Sequence, residues 1–506
     1  MKTLLLSLIL MSENSFGAGA LETAQRLYDS GQYFQSARYA FSSTEEGVSA
    51  GEAYSWITLS LMRAGMPQSA SYFFIRTLQS GQKAAIRRVL VHTQALMRVI
   101  GPDILKRYLI RHTKYEDYDE INQSAYLYAL GKQALLQGDE KYAIGYLKAI
   151  SSGSTLAPYA LELSGVAYAI IGQVETAIYQ FGRCVSQSRG ILSSASAGVT
   201  GDWMRLERSQ ADDLKNRCQA GIARTLYQAG RFEEAERAYD RIPKESLVWP
   251  DILFEQAWNG FARSEYNRTL GKLVTYKSPA LQFVFNTEVD VLRAQAYLLL
   301  CLYDDANNVI NEFNKQYSGV GEQVKRFVES KASNLSAFYD EGKTASTGSL
   351  YGRSDIHRVM NRFVRSPYFQ TLVASEKSVE NELAFMRQMD TASSGGTGFP
   401  GFLKQVLGSR VKQIELLGGA FVKNSLMDYH RVLLSDFDKM SFIKLEMLSR
   451  AKAKLAQNSS SVGERTRGVR MPVRRDDQYR WGFNGEFWND ELGDYVFGLE
   501  SQCQGT

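Results

Sequence analysis

Residues 138–147 read GDEKYAIGYL, and residues 172–181 read GQVETAIYQF. Both open on glycine, carry alanine five places on (Ala143, Ala177) and a bulky residue nine places on (Leu147, Phe181). The phrase recurs as GQYFQSARYAF from Gly31, GMPQSASYFF from Gly65, GRFEEAERAY from Gly230 and, with serine as opener, SEYNRTLGKL from Ser264. Gly31 and Gly65, Gly138 and Gly172, and Gly230 and Ser264 are each 34 residues apart. Ser36, Ala70, Ala235 and Thr269 hold the small position in the other copies. Phe74 and Tyr239 hold the bulky one, with Ala40 there in the first copy. This period marks a helix-turn-helix unit stacked into a solenoid, in which no unit buries its apolar face alone.

The first helix of each unit lies upstream of its opener. Gly131 and Gly165, seven before theirs, allow two helices to approach closely, and Leu130, Leu161, Tyr168 and Tyr297 take knob positions on the same faces. On these residues the chain resembles the tetratricopeptide repeat family over residues 21–317. The phase predicts eight units, opening at Gly31, Gly65, Gly101, Gly138, Gly172, Gly230, Ser264 and Cys301. The third departs from the pattern with Lys106 at the small position. The eighth keeps its phase through Ala306 and Ile310.

The resemblance implies an all-α fold, a right-handed superhelical solenoid of helix-turn-helix repeats. It also implies a concave groove lined by positions 13, 10, 6 and 3 before each opener. Carried onto this chain, the partner-binding groove holds Tyr128 and Lys132 in the fourth repeat and Tyr159 in the fifth. Arg217, Arg224 and Tyr227 follow in the sixth, and Phe254, Trp258 and Phe261 in the seventh. Arginines beside aromatics suit a protein interface. Arg217 and Arg224 are expected to grip a carboxylate, and Phe254 and Trp258 an apolar side chain. The alternative is that several of these aromatics are packing residues. The asparagines and lysines of the family's chaperone-tail clamp are missing from this set, so a chaperone tail is not the implied partner.

Residues 1–20 read as a signal peptide. Lys2 supplies a positive start, Thr3 to Met11 an apolar run too short to span a bilayer, and Ala18-Gly19-Ala20 a cleavage site. The other reading is an amphipathic first helix. The expected location is therefore exported, periplasmic or secreted after cleavage near Ala20. No later apolar run is long enough for a membrane span, so an integral membrane protein is not expected. Of 506 residues, 44% are hydrophobic and only 9 are proline, which suits long helices around a large core. A net charge of +5 gives no general pull toward nucleic acid.

In an oxidising compartment the four cysteines gain meaning. Cys184 lies late in the fifth repeat and Cys218 early in the sixth, on adjacent helices, at the base of an insertion over 186–210. A Cys184–Cys218 bridge is expected, the alternative being two buried thiols. By elimination Cys301 could pair with Cys503, clipping the C-terminus onto the last repeat, the alternative being that the two stay unpaired. No Cys-x-x-Cys motif is present and the four histidines, at 92, 112, 357 and 430, are scattered, so no metal site is expected.

Beyond the repeats, residues 318–354 read as a connecting helix and loop, and 355–457 as a long helical hairpin. The apolar line of that hairpin runs from Leu403 through Phe421 and Leu433 to Met447. A coiled-coil stalk or a continuation of the solenoid are the alternatives. Residues 458–475 form a basic linker with five arginines. Residues 476–506 hold Tyr479, Trp481, Phe483, Phe487, Trp488, Tyr495 and Phe497, with the turn dipeptide Asn484-Gly485 and strand-like alternation at Tyr495, Phe497 and Leu499. A small, β-containing aromatic cap is expected there. Asn-x-Ser/Thr acceptor sites occur at Asn122, Asn267, Asn334 and Asn458.

Nucleophile elbows, phosphate loops, paired-histidine zinc motifs and a strand–GxGxxG–helix unit are all missing from the sequence. The reading is a non-enzyme without cofactor: an exported scaffold or adaptor that binds other proteins of a cell-envelope or secreted assembly. A wall-polymer hydrolase is one alternative, with Glu486 as its only carboxylate in suggestive surroundings. Self-assembly of a structural homo-oligomer through the long C-terminal helix is the other. Electrophoresis of wall polymer and sedimentation, respectively, test them.

Overall fold

The computed structural model describes residues 19–44, 49–194, 202–281, 284–347, 354–392, 398–458, 486–488 and 491–503. The signal-peptide run, the basic linker after Asn458 and Tyr479, Trp481 and Phe483 lie outside the described residues. The described helices are α1 (Ala20–Asp29), α2 (Tyr33–Ser42), α3 (Ala50–Arg63), α4 (Pro67–Gln79), α5 (Lys83–Leu90), α6 (Thr93–Ile100) and α7 (Pro102–His112). They continue as α8 (Gln123–Leu136), α9 (Glu140–Lys148), α10 (Ala157–Ile170), α11 (Val174–Ser194), α12 (Asp202–Gln228), α13 (Phe232–Tyr239) and α14 (Trp249–Ala262). The last are α15 (Tyr266–Val274), α16 (Glu288–Leu299), α17 (Tyr303–Ser330), α18 (Leu335–Ser346), α19 (Asp355–Val364), α20 (Pro367–Ala392) and α21 (Gly398–Asn458). No described helix is long and apolar enough to cross a membrane.

Every opener sits between the two helices of its unit, and every one has left-handed backbone, from Gly31 at φ 80° to Ser264 at 59° and Cys301 at 56°. Seven of the eight close the first helix with the same two bonds. Gly172 N donates to Ala169 O (3.1 Å) and Gln173 N to Tyr168 O (2.9 Å), and Ser264 and Cys301 repeat the pattern with their followers. This is the left-handed C-terminal cap that satisfies the carbonyls a helix end leaves unpaired. Gly101 is the exception. It caps α6 through a bond to Met97 O and starts α7 directly, and an extra left-handed glycine, Gly81, precedes a first helix broken into α5 and α6.

The spacing around each opener then dictates packing. Ser36, Ala70, Ala143, Ala177, Ala235, Thr269 and Ala306, five after their openers, are all fully buried. Where this residue carries a hydroxyl, it donates to the carbonyl seven before the opener: Ser36 Oγ to Ala24 O (2.7 Å) and Thr269 Oγ1 to Ala257 O (3.1 Å). A Cβ on Gly131 would lie 2.6 Å from Leu147 Cγ. The Phe181 ring fits between Gly165 and Gly221, whose added Cβ atoms would lie 2.7 and 2.6 Å from it. The bulky position of one helix thus fills the space left by glycines on its neighbours.

The chain forms two compact units. One joins the described residues up to Leu130 with Ala374–Val411. Its core gathers Phe34, Phe41 and Phe73 around Phe399, with ring centroids 5.0 to 6.4 Å apart. The bare N-terminus of α4 is capped from far along the chain. Gln68 N donates to Glu382 Oε1 (2.5 Å), and Ser69 N and Oγ donate to Oε2 (2.9 and 2.7 Å). A buried carboxylate here satisfies orphan amides and meets the positive end of the helix dipole.

The other unit joins Gly131–Val373 with the chain from Lys412 onward. Here the expected insertion over 186–210 is chiefly an extension of α11 and α12, and the Cys184 and Cys218 sulfurs meet within that helix pair at 2.01 Å. A bridge over 34 residues stabilises by roughly 3–4 kcal/mol in the chain-entropy model. Nor does α21 stand free as a stalk. Phe437 meets Phe313 (centroids 4.8 Å apart), Asp436 accepts from Thr287 Oγ1 (2.6 Å), and Gly418 and Gly419 lie against Tyr339 and the Leu335 carbonyl.

The aromatic tail corrects one expectation. No strand occurs among the described residues, so the β-containing cap is not supported; Val496 is an isolated bridge. After a turn at 491–494 the chain runs extended over α15 and α16. Tyr495, Phe497 and Leu499 face two apolar clusters on the repeats, so the period-2 alternation was legible while its partner was not a strand. Backbone groups are met by helices: Asn267 Nδ2 donates to Leu499 O (2.9 Å), Leu499 N to Asn267 Oδ1 (3.0 Å) and Gln502 N to Leu300 O (2.9 Å). Cys503 and Cys301 sulfurs stand 2.11 Å apart at the end of the run. Asn267, 2% exposed and used in this clamp, is closed to glycan attachment, as is buried Asn122.

Two expected outcomes follow from these contacts. Gly419→Ala should destabilise by about 1–3 kcal/mol, because a methyl would run into backbone that cannot give way. Gly408→Ala, exposed and open on the same helix, should stabilise by about 0.5–1 kcal/mol; denaturant midpoints decide both. Burial raises the Glu382 carboxyl to about 7, against its hydrogen bonds to Ser69 and Gln68. The folded chain therefore holds this proton between the unfolded value, about 4.3, and about 7. Stability should fall as pH rises through that window and level off above it, and Glu382→Gln should flatten the slope. Equal slopes in both proteins would refute this.

Candidate functional site

The first helices of repeats four to seven, α8, α10, α12 and α14, carry the residues expected in the groove. Tyr128 on α8 is only 7% exposed and belongs to the packing, whereas Lys132 is half-buried. Tyr159 on α10 is half-buried beside the cluster of Leu161, Phe181, Cys184 and Cys218. Tyr227 on α12 packs beside Ala223 and Ile252, with its ring 5.5 Å from that of Phe232.

Arg217 and Arg224 meet carboxylates of this chain. Arg217 Nε and Nη2 donate to the two Glu162 oxygens on α10 (2.8 and 3.1 Å), and Nη1 donates to Asp213 Oδ2 one turn back (2.5 Å). Its fork is filled, which corrects the expectation that it is open to a partner. Burial raises the Asp213 carboxyl above its ordinary value, opposed by Arg217 and reinforced by Glu162. Arg224 Nε and Nη2 grip Glu255 on α14 (2.9 and 2.7 Å), and Tyr239 OH donates to the same carboxylate (3.0 Å). The Arg224 side chain nevertheless remains 53% exposed. Arginine–carboxylate forks therefore tie α12 to α10 on one side and to α14 on the other.

Along α14, Phe254, Trp258 and Phe261 form a row continued by Tyr266, with ring centroids 6.4, 5.5 and 5.5 Å apart and edges turned to faces. One side of the row rests on Ala257, Leu273, Val289 and Leu292, and each of the three expected aromatics remains partly accessible. Together α12 and α14 present a half-open guanidinium beside aromatic rings on adjacent helices. Such a face can hold a partner's apolar side chain next to an acidic group. Sequence reasoning missed Asp213 and Glu255. The first was legible as the i, i+4 partner of Arg217, whereas the second needs the helix pairing.

Other places offer less. A hollow of about 380 Å³ is lined by Tyr179, Gly182, Arg183, Ser186 and Gln187, all on α11, so nothing closes it from a second element. Of the acidic tail residues, Asp494 pairs with Lys244 (2.8 Å) and Glu486 is exposed. No group of three His, Cys, Asp or Glu among the described residues could hold a metal.

No family model matches the chain, and no curated protein matches it. Solved structures do. The apo form of RapI is 12% identical, with a TM-score of 0.33, covering 72% of this chain and 98% of its own. The Rap conjugation gene regulator of the plasmid pLS20, in complex with the Phr* peptide, is 11% identical, with a TM-score of 0.28 and coverage of 70% and 96%. Yeast Tom70 is 12% identical, with a TM-score of 0.19 and coverage of 87% and 96%. At these scores the repeat assignment rests on the chain's own turns and packing.

Arg217→Ala would leave Glu162 and Asp213 facing each other without their cation. A loss of about 1.5–3 kcal/mol in folding stability is expected, read from urea midpoints. An unchanged midpoint would mean that solvent already screens the pair.

Proposed function

We propose that this chain is a protein-interaction scaffold or adaptor that holds partner segments along the inner face of its sixth and seventh repeats. The observation that carries this reading is that half-exposed Arg224 on α12, joined to Glu255 of α14, accompanies the partly accessible row Phe254, Trp258 and Phe261 on that same α14. Arginine and large aromatics are the residues on which binding energy concentrates at interfaces. The partners are other proteins, and the setting is a cell-envelope or secreted assembly. Export rests on the N-terminal run from Lys2 to Ala20 and on two cysteine pairs at bonding distance, which persist in oxidising compartments. Lys132 and Tyr159 extend the same face into the fourth and fifth repeats. The hydrolase reading depends on Glu486, which is exposed, so the scaffold reading is the better supported.

Partner capture by the immobilised full chain, compared with Arg224→Ala and Trp258→Leu, tests the proposal. Leucine keeps apolar cover over Leu273 and Leu292 but removes the ring. Each variant should retain full helix content and lose roughly 2 kcal/mol of binding, about thirtyfold in affinity. Undiminished capture by both folded variants would place the binding surface elsewhere.

A further inference from the structure

The helix α21 has an apolar face that its own unit does not cover. Leu426, Leu433, Met440, Ile443 and Met447 are buried against the repeats. Around the helix from them, Leu416 (51% exposed), Met427 (48%), Leu434 (51%), Leu445 (63%) and Leu448 (54%) form a second stripe, with Phe442 (71%) on its border. The steps from Leu416 to Met427, Leu434 and Leu445 are 11, 7 and 11 residues, and both intervals return a helix to the same face. The stripe from Leu416 to Leu448 runs for about 48 Å at 1.5 Å per residue. Lys423 and Ser441 fall on the same face, so the apolar area divides into segments at Leu416, Met427–Leu434 and Phe442–Leu448, together on the order of several hundred Å².

Charge at its border identifies the occupant. Arg431 and Asp438 lie one heptad apart on either side of Leu434; Arg431, 77% exposed, pairs with Asp428 on its own helix, and Asp438 is exposed too. In a parallel two-fold pairing each flank of the stripe faces the partner's opposite flank, so Arg431 and Asp438 do not meet across it. In an antiparallel pairing about a two-fold axis beside Leu434, Arg431 of one copy lies level with the partner's Asp438, twice. The same register sets Met427 level with the partner's Phe442. We propose that α21 docks a second copy of this chain antiparallel through the stripe Leu416–Leu448, with the Arg431–Asp438 pair setting orientation. A stripe of this size counted on both copies approaches the roughly 1,200 Å² at the low end of specific dimers. Exposed ion pairs add little affinity, so the two Arg431–Asp438 contacts set orientation rather than strength. This surface is separate from the Arg224–Trp258 face, and its test does not depend on partner capture.

Sedimentation of the full chain over a range of concentrations should show a monomer–dimer equilibrium. Phe442→Gln with Leu445→Gln should abolish the dimer while circular dichroism keeps the helix content. At low salt, Arg431→Glu alone and Asp438→Arg alone should each weaken dimerisation at least tenfold, and the double charge swap should restore it. A chain that stays monomeric at hundreds of micromolar overturns the proposal. So does a dimer indifferent to the glutamine pair, or a double swap no tighter than the single ones.

Discussion

The left-handed residue between the paired helices of each repeat is the constraint from which the packing of the repeats follows. Gly31, Gly65, Gly138, Gly172 and Gly230 have open space where a Cβ would stand, so backbone conformation rather than crowding selects glycine there. Once the first helix ends at that residue, the distance from turn to crossing is the same in each hairpin. The small residue five places later meets the first helix at the position seven before the turn. Ser264 and Cys301 hold the same conformation with side chains, at a cost of about 1 kcal/mol each. Both keep the two capping bonds, and the sulfur of Cys301 meets that of Cys503.

The C-terminal third uses what this geometry leaves unsatisfied. Glu382 supplies the cap that α4 lacks, Asp436 is buried because Thr287 and Lys439 meet it, and the tail borrows Asn267 and the Leu300 carbonyl in place of a neighbouring strand. Each is a polar group whose burial would be costly without its partner. The bond between Glu382 and Ser69 joins residues 313 apart in sequence, so the energy of such contacts appears only when the whole unit assembles.

This separation explains what was legible. Turn position, small residue and bulky residue fall within one repeat, and the period exposes them directly. So does the alternation of Tyr495, Phe497 and Leu499, because an extended segment places every second side chain on one face whatever it lies on. The break of the third repeat at Gly81 obeys the same turn chemistry, but its shortened helices fall outside the period. The extension of α11 and α12 read as a loop because SSASAG, at 193–198, carries serine and glycine without a period. In the candidate site, the positions of Arg224 and Trp258 followed from phase. Glu162 also falls at a groove position by phase, but its pairing with Arg217, and Glu255 altogether, did not follow, since the pairing of neighbouring helices sets them.

On the proposed binding face, those carboxylates bear on which partner would be favoured. Arg224 already holds a bidentate partner, so an acidic ligand must displace Glu255 or share the guanidinium with it. The exchange of one carboxylate for another gains little, because Arg224 is paired before and after while a displaced Glu255 keeps only the Tyr239 hydroxyl. Net affinity must then come from the aromatic row, where burying the exposed edges of Phe254, Trp258 and Phe261 removes apolar surface from water without breaking a bond. The ion pair instead penalises the wrong ligand. A basic segment brought to this face would meet the outward side of Arg224, whose counter-charge is already engaged by this chain. Affinity from rings and selectivity from a pre-paired arginine are thus separable on this surface, the first following apolar area and the second following charge.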